Sequence, residues 1–87
     1  MNEDIYLSEK WRGNVTFFEA YLNKLSGTKF EMIRCLGVGM SNKEISMELH
    51  ITEATVKKYI SEILLETELT NRTQIAVLFY IIQQSKR

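Results

Sequence analysis

Hydrogen-bond donors are concentrated in one short stretch of the chain, residues 55–61. The stretch holds two adjacent lysines, two hydroxyl residues and a phenol: Thr55, Lys57, Lys58, Tyr59 and Ser61. Ammonium and hydroxyl groups donate hydrogen bonds to phosphate oxygens and to base acceptors such as the O6 and N7 atoms of guanine. The chemistry that these residue types indicate is the binding of a nucleic acid.

A helix-turn-helix is predicted to position these donors. Its first helix is expected from Asn42 to about Leu49, because Ser41 and Glu44 have the spacing of a capping box. After a three-residue turn, Thr52 is expected to cap a second helix that runs from Glu53 to about Leu65. In such motifs the second helix can enter the major groove of DNA.

The second helix of this pair has one apolar face. The apolar residues recur at helical spacing and are expected to face the core: Val56, Ile60, Ile63 and Leu64. Measured from Val56, the side chains of Lys57, Lys58 and Ser61 fall away from that face. The pattern therefore leaves the donors free on the outside of the helix.

The whole chain is predicted to be α-helical. Proline is absent and no alternating strand pattern occurs. Besides the two helices above, three more are expected, over residues 15–25, 28–38 and about 72–83. Asn14 and Ser26 are the expected N-caps of the first two, and Gly39 is expected to follow the second in a left-handed conformation.

The N-terminal residues are assigned to an extension rather than to a tail. They include apolar side chains that are expected to pack on the domain or on a partner: Ile5, Tyr6, Leu7 and Trp11. We therefore divide the chain into residues 1–24, an N-terminal extension with its helix, and residues 25–87, the helix-turn-helix domain.

Composition argues against several other classes of protein. A single cysteine, Cys35, forms no internal disulfide, and together with the single histidine, His50, it supplies too few ligands for a structural zinc site. His50 lies in the predicted turn, and no catalytic constellation is evident, so we expect no enzyme, no metal, no cofactor and no small-molecule ligand. The acidic start of the chain is not a signal peptide, and the apolar run from Ile75 to Ile82 is too short to span a membrane. A cytoplasmic protein is expected.

Four spaced motifs carry a resemblance to a known family. They are Leu25-Ser26 with Glu31, Gly39-Met40-Ser41-Asn42-Lys43-Glu44-Ile45, Ile51-Thr52 with Thr55-Val56-Lys57, and Asn71-Arg72-Thr73-Gln74. Together they resemble the LuxR/FixJ-type helix-turn-helix, a four-helix DNA-binding domain also found in NarL-type response regulators and in GerE. The resemblance extends from about Leu25 to Tyr80.

The resemblance implies an all-α, four-helix LuxR-type domain, here with an extra N-terminal helix, in a bacterial regulator of transcription that binds specific DNA sequences. It implies a recognition helix from Thr52 to about Leu65. In that helix Lys57, Lys58 and Ser61 would face base edges. The residues that would contact phosphates are Lys43, Thr55 and Tyr59, while Asn71 and Arg72 would contact the DNA backbone or brace the core.

The chain departs from the family pattern at several positions. The early Arg-Glu pair of the family is replaced by Thr28-Lys29, its usual histidine is Tyr59, and two positions that are often basic or amide are Glu62 and Glu66. The carboxylates of Glu62, Glu66 and Glu68 are therefore expected to lie near the DNA and to weaken its binding.

The last predicted helix is apolar around its whole circumference from Ile75 to Ile82, so a second face must be buried. Similar domains dimerise through this helix. We expect a homodimer that uses Val77, Phe79 and Tyr80, with recognition helices about 34 Å apart on a two-fold symmetric site. The alternative is that the N-terminal helix covers this face.

Two other interpretations stay open at the level of sequence. Eleven basic and eleven acidic residues give no net charge, which favours a protein-interaction module that keeps the fold but has lost or weakened DNA binding. The chain is alternatively a fragment of a larger response regulator, although Met1 and the separate N-terminal helix favour a complete protein.

Overall fold

The structure is a computed structural model that describes residues 14–85. Regular structure within these residues is entirely α-helical, which confirms the predicted fold class. The helices are α1 (described over residues 14–24), α2 (Thr28–Gly37), α3 (Asn42–Leu49), α4 (Glu53–Thr67) and α5 (Arg72–Ser85). The expected packing of Ile5, Tyr6, Leu7 and Trp11 lies outside the described residues.

The predicted starts of α3 and α4 are confirmed. The Ser41 hydroxyl accepts a hydrogen bond from the Glu44 backbone N–H at 3.1 Å, and the Glu44 carboxylate accepts one from the Ser41 N–H at 2.8 Å. At the start of α4, the Thr52 hydroxyl accepts from the Thr55 N–H at 3.1 Å. Between the two helices His50 lies in the predicted turn, in the left-handed conformation with a φ of 59°.

Two predicted caps are wrong. Asn14 is itself helical and so does not cap α1. The N-cap of α2 is Gly27 rather than Ser26, and it makes no side-chain hydrogen bond. Gly27 has a φ of 72°, which glycine adopts without the steric cost that a Cβ imposes, so backbone geometry rather than a side-chain cap opens α2.

Two helix ends also depart from the sequence pattern. The helix α2 ends at Gly37, one residue earlier than predicted, and Gly39 is left-handed as expected, with a φ of 87°. The helix α4 continues two residues past Leu65, to Thr67. Thr67 is buried, and its hydroxyl donates to the Ile63 carbonyl at 2.7 Å. This bond lets a polar residue occupy the inward face at the end of the helix.

The five helices share one hydrophobic core, in which α2 packs mainly on α5 and α3 on α4. The buried apolar side chains are Phe18, Leu22, Met32, Ile33, Cys35, Leu36, Ile45, Val56, Ile60, Ile63, Ile75, Leu78 and Ile82. Phe18 and Leu22 belong to α1, so the N-terminal helix is packed into the same core as the helix-turn-helix.

The close approach of α2 and α5 depends on a glycine. A Cβ placed on Gly37 would lie only 2.7 Å from Cδ2 of Phe79. The Phe79 ring also makes an edge-on contact with the Phe30 ring of α2, at 6.5 Å between centroids. Phe79 therefore faces the inside of the molecule, which places it apart from the other two residues expected at a dimer interface.

Among residues 14–85 no helix is long and apolar enough to cross a membrane. The same residues contain no group of three or more His, Cys, Asp or Glu side chains arranged to hold a metal ion. Cys35 is buried as a free thiol, and burial raises its pKa, so this thiol is an apolar core group.

Candidate nucleic-acid interface

The outward face of α4 is the most prominent donor surface of the helix-turn-helix. Its inward face is buried through Val56, Ile60, Ile63 and Thr67. Lys57, Lys58 and Ser61 are exposed on the other side, as the apolar pattern predicted. Their ammonium and hydroxyl groups are free to donate to an incoming acceptor.

Lys43 is exposed in the first turn of α3. The capping box of Ser41 and Glu44 fixes this turn on either side of Lys43. The backbone N–H groups of a helix N-terminus attract anions, and a lysine beside them adds a full positive charge. The start of α3 thus offers a second donor group, separate from the outward face of α4.

Thr55 and Tyr59 are half-buried, unlike the lysines. The Thr52 hydroxyl donates to the Thr55 hydroxyl at 3.0 Å, which leaves the Thr55 proton free for another acceptor. Tyr59 packs against the core, and Nζ of Lys29 lies 5.9 Å from the centroid of its ring. Tyr59 is a core-edge residue whose ring is partly covered by a cation.

Arg72 is bound within the protein. Its guanidinium donates to the Asn42 side-chain oxygen and, at 2.9 Å, to the Met40 carbonyl. These bonds tie the first residue of α5 to the start of α3 and to the residue before the Ser41 cap. Arg72 therefore braces the helix that presents Lys43.

Glu62 and Glu66 are held away from the outward face of α4. Nζ of Lys29 lies 2.9 Å from a Glu62 carboxylate oxygen and 3.2 Å from one of Glu66. The Tyr21 hydroxyl of α1 donates to the other Glu66 oxygen at 2.5 Å. The prediction that these two carboxylates lie near the DNA stays a prediction, but α1 and α2 supply partners for both.

The protonation states of this cluster follow from its contacts. The hydrogen bond from Tyr21, together with that from Lys29, lowers the pKa of Glu66. The hydrogen bond to Glu62 raises the pKa of Lys29, which keeps its charge. Burial and the Glu66 carboxylate raise the pKa of Tyr21, so its phenol remains a donor.

Two departures from the family pattern thus compensate each other. Lysine stands at 29 where an acidic residue is usual, and glutamate stands at 62 and 66 where a basic or amide residue is usual. The reversed charges meet in one cluster. Each departure is visible in the sequence, but the contact between them is not, since 33 and 37 positions separate the partners along the chain.

One outward residue of α4 was not singled out from the sequence. Leu65 is 81% exposed and lies on the same helical line as Lys58 and Ser61, at positions i, i+3 and i+7. The spacing of Leu65 from Lys58 and Ser61 places it on the outward face. Because the helix was predicted to end at about Leu65, the residue was not assigned to that face.

Fewer apolar side chains are exposed on the outward face of α5 than the apolar composition of this helix predicted. Val77 is 39% exposed and Tyr80 is 60% exposed. Phe79 is turned toward Gly37 and Phe30 instead. Of the three residues expected at a dimer interface, Val77 and Tyr80 share a face that is open to a partner.

The fold and this surface define a helix-turn-helix domain, with a capped supporting helix, a left-handed turn and a second helix that exposes two lysines. The sequence model of the bacterial regulatory proteins of the luxR family matches residues 23–79. The chain belongs to this family.

Individual relatives agree with this assignment. The chain is 42% identical over 53 residues to the transcriptional regulatory protein LnrK of Bacillus subtilis (strain 168). These residues cover 61% of this chain and 24% of LnrK. It is 34% identical over 77 residues to the putative HTH-type transcriptional regulator YhjB of Escherichia coli (strain K12), covering 88% of this chain and 38% of YhjB.

A third relative is the nitrate/nitrite response regulator protein NarL of Escherichia coli (strain K12). Identity to NarL is 31% over 71 residues, which cover 82% of this chain and 33% of NarL. The chain thus corresponds to less than two-fifths of the length of each of these three curated relatives.

Proposed function

We propose that this chain is the DNA-binding part of a bacterial transcription regulator and that α4 enters the major groove as its recognition helix. One observation carries the proposal: Lys57, Lys58 and Ser61 are exposed together on the outward face of a capped second helix in a helix-turn-helix. The names of the relatives, which are transcriptional regulators, support it.

The proposed contacts divide into two kinds. Lys57, Lys58 and Ser61 read base edges, because they lie on the outward face of the helix that enters the groove. Residues near the rim contact phosphates: Lys43 with its ammonium group, Thr55 with its free hydroxyl proton, and Tyr59 with its phenol. Arg72 acts in this scheme through its bonds to Met40 and Asn42, which hold the start of α3 in place.

The proposal extends to assembly and to domain organisation. A homodimer that pairs α5 helices through Val77 and Tyr80 would present two recognition helices to a two-fold symmetric site. Residues 25–87 form the DNA-binding unit, and residues 1–24 are an extension. Phe18 and Leu22 join the extension to this unit, because they pack α1 into its core.

A second candidate function is a protein-interaction module with the same fold. The observation in its favour is charge: the chain has no net charge, and α4 contains three glutamates against two lysines. Nucleic-acid binding depends strongly on positive charge. This candidate makes the opposite prediction in the experiment below.

Selection from randomised duplex DNA at about 50 mM salt, followed by sequencing of the bound fraction, tests the proposal. The selected duplex then serves to compare Lys58→Ala with Lys43→Ala. We expect Lys58→Ala to reduce the preference for the selected duplex over random DNA by about 1–3 kcal/mol, because it removes a base contact. Lys43→Ala should weaken binding to both duplexes equally and lower the log–log salt slope by about one.

The matched control is Lys24→Ala, which removes an exposed lysine of α1 rather than of the helix-turn-helix. Equal losses on the selected and random duplexes for Lys58→Ala would contradict its assignment as a base reader. Absence of any complex at micromolar protein and about 50 mM salt would favour the interaction module.

A further inference from the structure

Charge on α4 poses a physical problem for DNA binding. The helix carries Lys57 and Lys58 but also Glu53, Glu62 and Glu66, so carboxylates outnumber ammonium groups by one. Glu62 follows Lys58 by four residues, a spacing at which side chains on a helix are neighbours and opposite charges attract. A free Glu62 would therefore compete with DNA for Lys58 and would also repel phosphates.

Lys29 of α2 pairs with two of these carboxylates. Nζ of Lys29 lies 2.9 Å from a Glu62 oxygen and 3.2 Å from a Glu66 oxygen. In the part of the chain that the structure describes, neither carboxylate has an ion pair with Lys58. Both acidic side chains are thus drawn toward α2, and Lys58 stays exposed and unpaired.

Lys29 lies in a partly buried position that suits an ion pair with these carboxylates. Its side chain is 24% exposed, less than either carboxylate, and its ammonium lies 5.9 Å from the Tyr59 ring centroid. A partly desolvated ion pair is screened less by salt than a fully exposed one. The Tyr21 hydroxyl donates to the other Glu66 carboxylate oxygen at 2.5 Å, so Glu66 is also bonded to α1.

We propose that Lys29 is a positioning residue for DNA binding: it holds Glu62 and Glu66 against α2, so that Lys58 meets DNA with its charge unpaired. The inference rests on the proposed function and goes beyond it, because Lys29 would act through the two carboxylates rather than as a base or phosphate contact. Tyr21 assists by fixing Glu66 from α1. The N-terminal helix therefore contributes to DNA binding through Glu66.

The test measures the affinity of the full chain for the selected duplex by fluorescence anisotropy at about 50 mM and 200 mM salt. We expect Lys29→Ala to weaken binding about tenfold at the lower salt and by less at the higher salt, since the released carboxylates act through screened charge. Lys29→Arg keeps the cation and should bind within about twofold of the wild type. Tyr21→Phe should show an intermediate loss.

Two comparisons separate positioning from a simple change of net charge or of stability. Lys24→Ala removes one exposed lysine but releases no carboxylate, so its loss should be smaller than about threefold. The double variant Lys29→Ala, Glu62→Gln has the net charge of the wild type and no carboxylate four residues after Lys58, so it should recover most of the wild-type affinity. Melting temperatures should stay within about 4 °C of one another, because partly exposed ion pairs contribute about 1 kcal/mol or less to stability.

Either of two results overturns the inference while the wild type still binds DNA. One is a loss for Lys29→Ala no larger than that for Lys24→Ala. The other is a double variant Lys29→Ala, Glu62→Gln that binds as weakly as Lys29→Ala, since the Glu62 carboxylate would then have no part in the loss. If the wild type binds no duplex, the proposed function itself fails, and the inference fails with it.

Discussion

Arg72 joins two helices through one side chain. Its guanidinium bonds the Asn42 side chain of α3 and the Met40 carbonyl that precedes the α3 cap. A planar fork of donors suits two acceptors that lie in different directions, and a lysine ammonium does not reproduce it. The resemblance to the family left open whether this arginine contacts DNA or braces the core, and these bonds favour bracing.

We expect Arg72→Ala to lower the free energy of unfolding by about 1–3 kcal/mol, because it removes charge-assisted hydrogen bonds at a half-buried site. Arg72→Lys should recover only part of this loss. The control is Arg34→Ala, since Arg34 is exposed and pairs with Glu31 in its own helix, and it should cost no more than about 0.5 kcal/mol. Urea unfolding measures all three, and equal losses for Arg72→Ala and Arg34→Ala would refute the bracing role.

Glu66 makes a second residue-scale prediction, on pH. The hydrogen bond from Tyr21 and the contacts with Lys29 lower its pKa from the ordinary 4.5. Because the folded-state pKa is lowered, the unfolded chain takes up the proton first as the pH falls. The stabilisation is therefore present above about pH 4.5 and is lost as the pH drops through the folded-state pKa.

The measurement compares the wild type with Glu66→Gln, which keeps an oxygen acceptor but cannot titrate. The difference in unfolding free energy should be largest near about pH 6 and should shrink toward about pH 3. A difference that stays constant over this range would show that Glu66 has the same pKa in the folded and unfolded chains.

At the scale of elements, the distance between α2 and α5 is set by Gly37. We expect Gly37→Ala to destabilise the fold by about 1–3 kcal/mol, because its Cβ would overlap the Phe79 ring and overpack the contact. The gain in helix propensity from glycine to alanine, about 1 kcal/mol, offsets only part of this cost. Thermal unfolding measures the result.

Phe79→Leu in the Gly37→Ala background is the matched test of this contact, because it removes the ring that the new methyl group meets. In a double-mutant cycle, the double variant Gly37→Ala, Phe79→Leu should lose less stability than the sum of the losses of the two single variants. Additive losses would mean that the methyl group of Ala at position 37 finds room elsewhere and that Gly37 does not set the approach of the two helices.

The helix-turn-helix itself could be predicted from the sequence because its signals are local. Ser41 and Glu44 are three residues apart, as are Thr52 and Thr55, and each pair forms the hydrogen bonds that its spacing indicates. Capping chemistry of this kind acts within one helical turn and needs no tertiary information. The positions of Lys57, Lys58 and Ser61 followed from the same helix.

Contacts between distant elements could not be predicted in this way. Lys29 meets Glu62 and Glu66 across 33 and 37 positions of the chain, and helical periodicity carries no information about that distance. The orientation of Phe79 was missed for a related reason. An apolar residue on a helix that is apolar all round can face either side, and only the packing of α2 decides.

At the scale of the whole molecule, a chain with no net charge can gain DNA affinity only from the placement of its charges or from avidity. The proposed DNA-binding face of one chain offers few donors: Lys43, Lys57 and Lys58 with the hydroxyl groups near them. Two linked half-sites raise affinity far above that of one half-site, because the second contact becomes intramolecular. Dimerisation through α5 would supply that gain.

The outward face of α5 therefore makes the last prediction. Val77 and Tyr80 are exposed apolar residues of one face, whereas Phe79 is packed on α2. If the proposed α5 dimer forms, Tyr80→Glu should dissociate it without unfolding the chain, because an unpaired charge buried in the interface costs several kcal/mol, enough to make a micromolar dimer monomeric. DNA affinity should then fall steeply, as each half-site alone has few contacts.

Met47→Glu is the control, since Met47 is an exposed residue of α3 and its change should leave sedimentation unaltered. Phe79→Glu, in contrast, should unfold the protein. A wild-type chain that sediments as a monomer at about 100 μM would rule out the α5 dimer, because an interface of useful affinity would be saturated at that concentration.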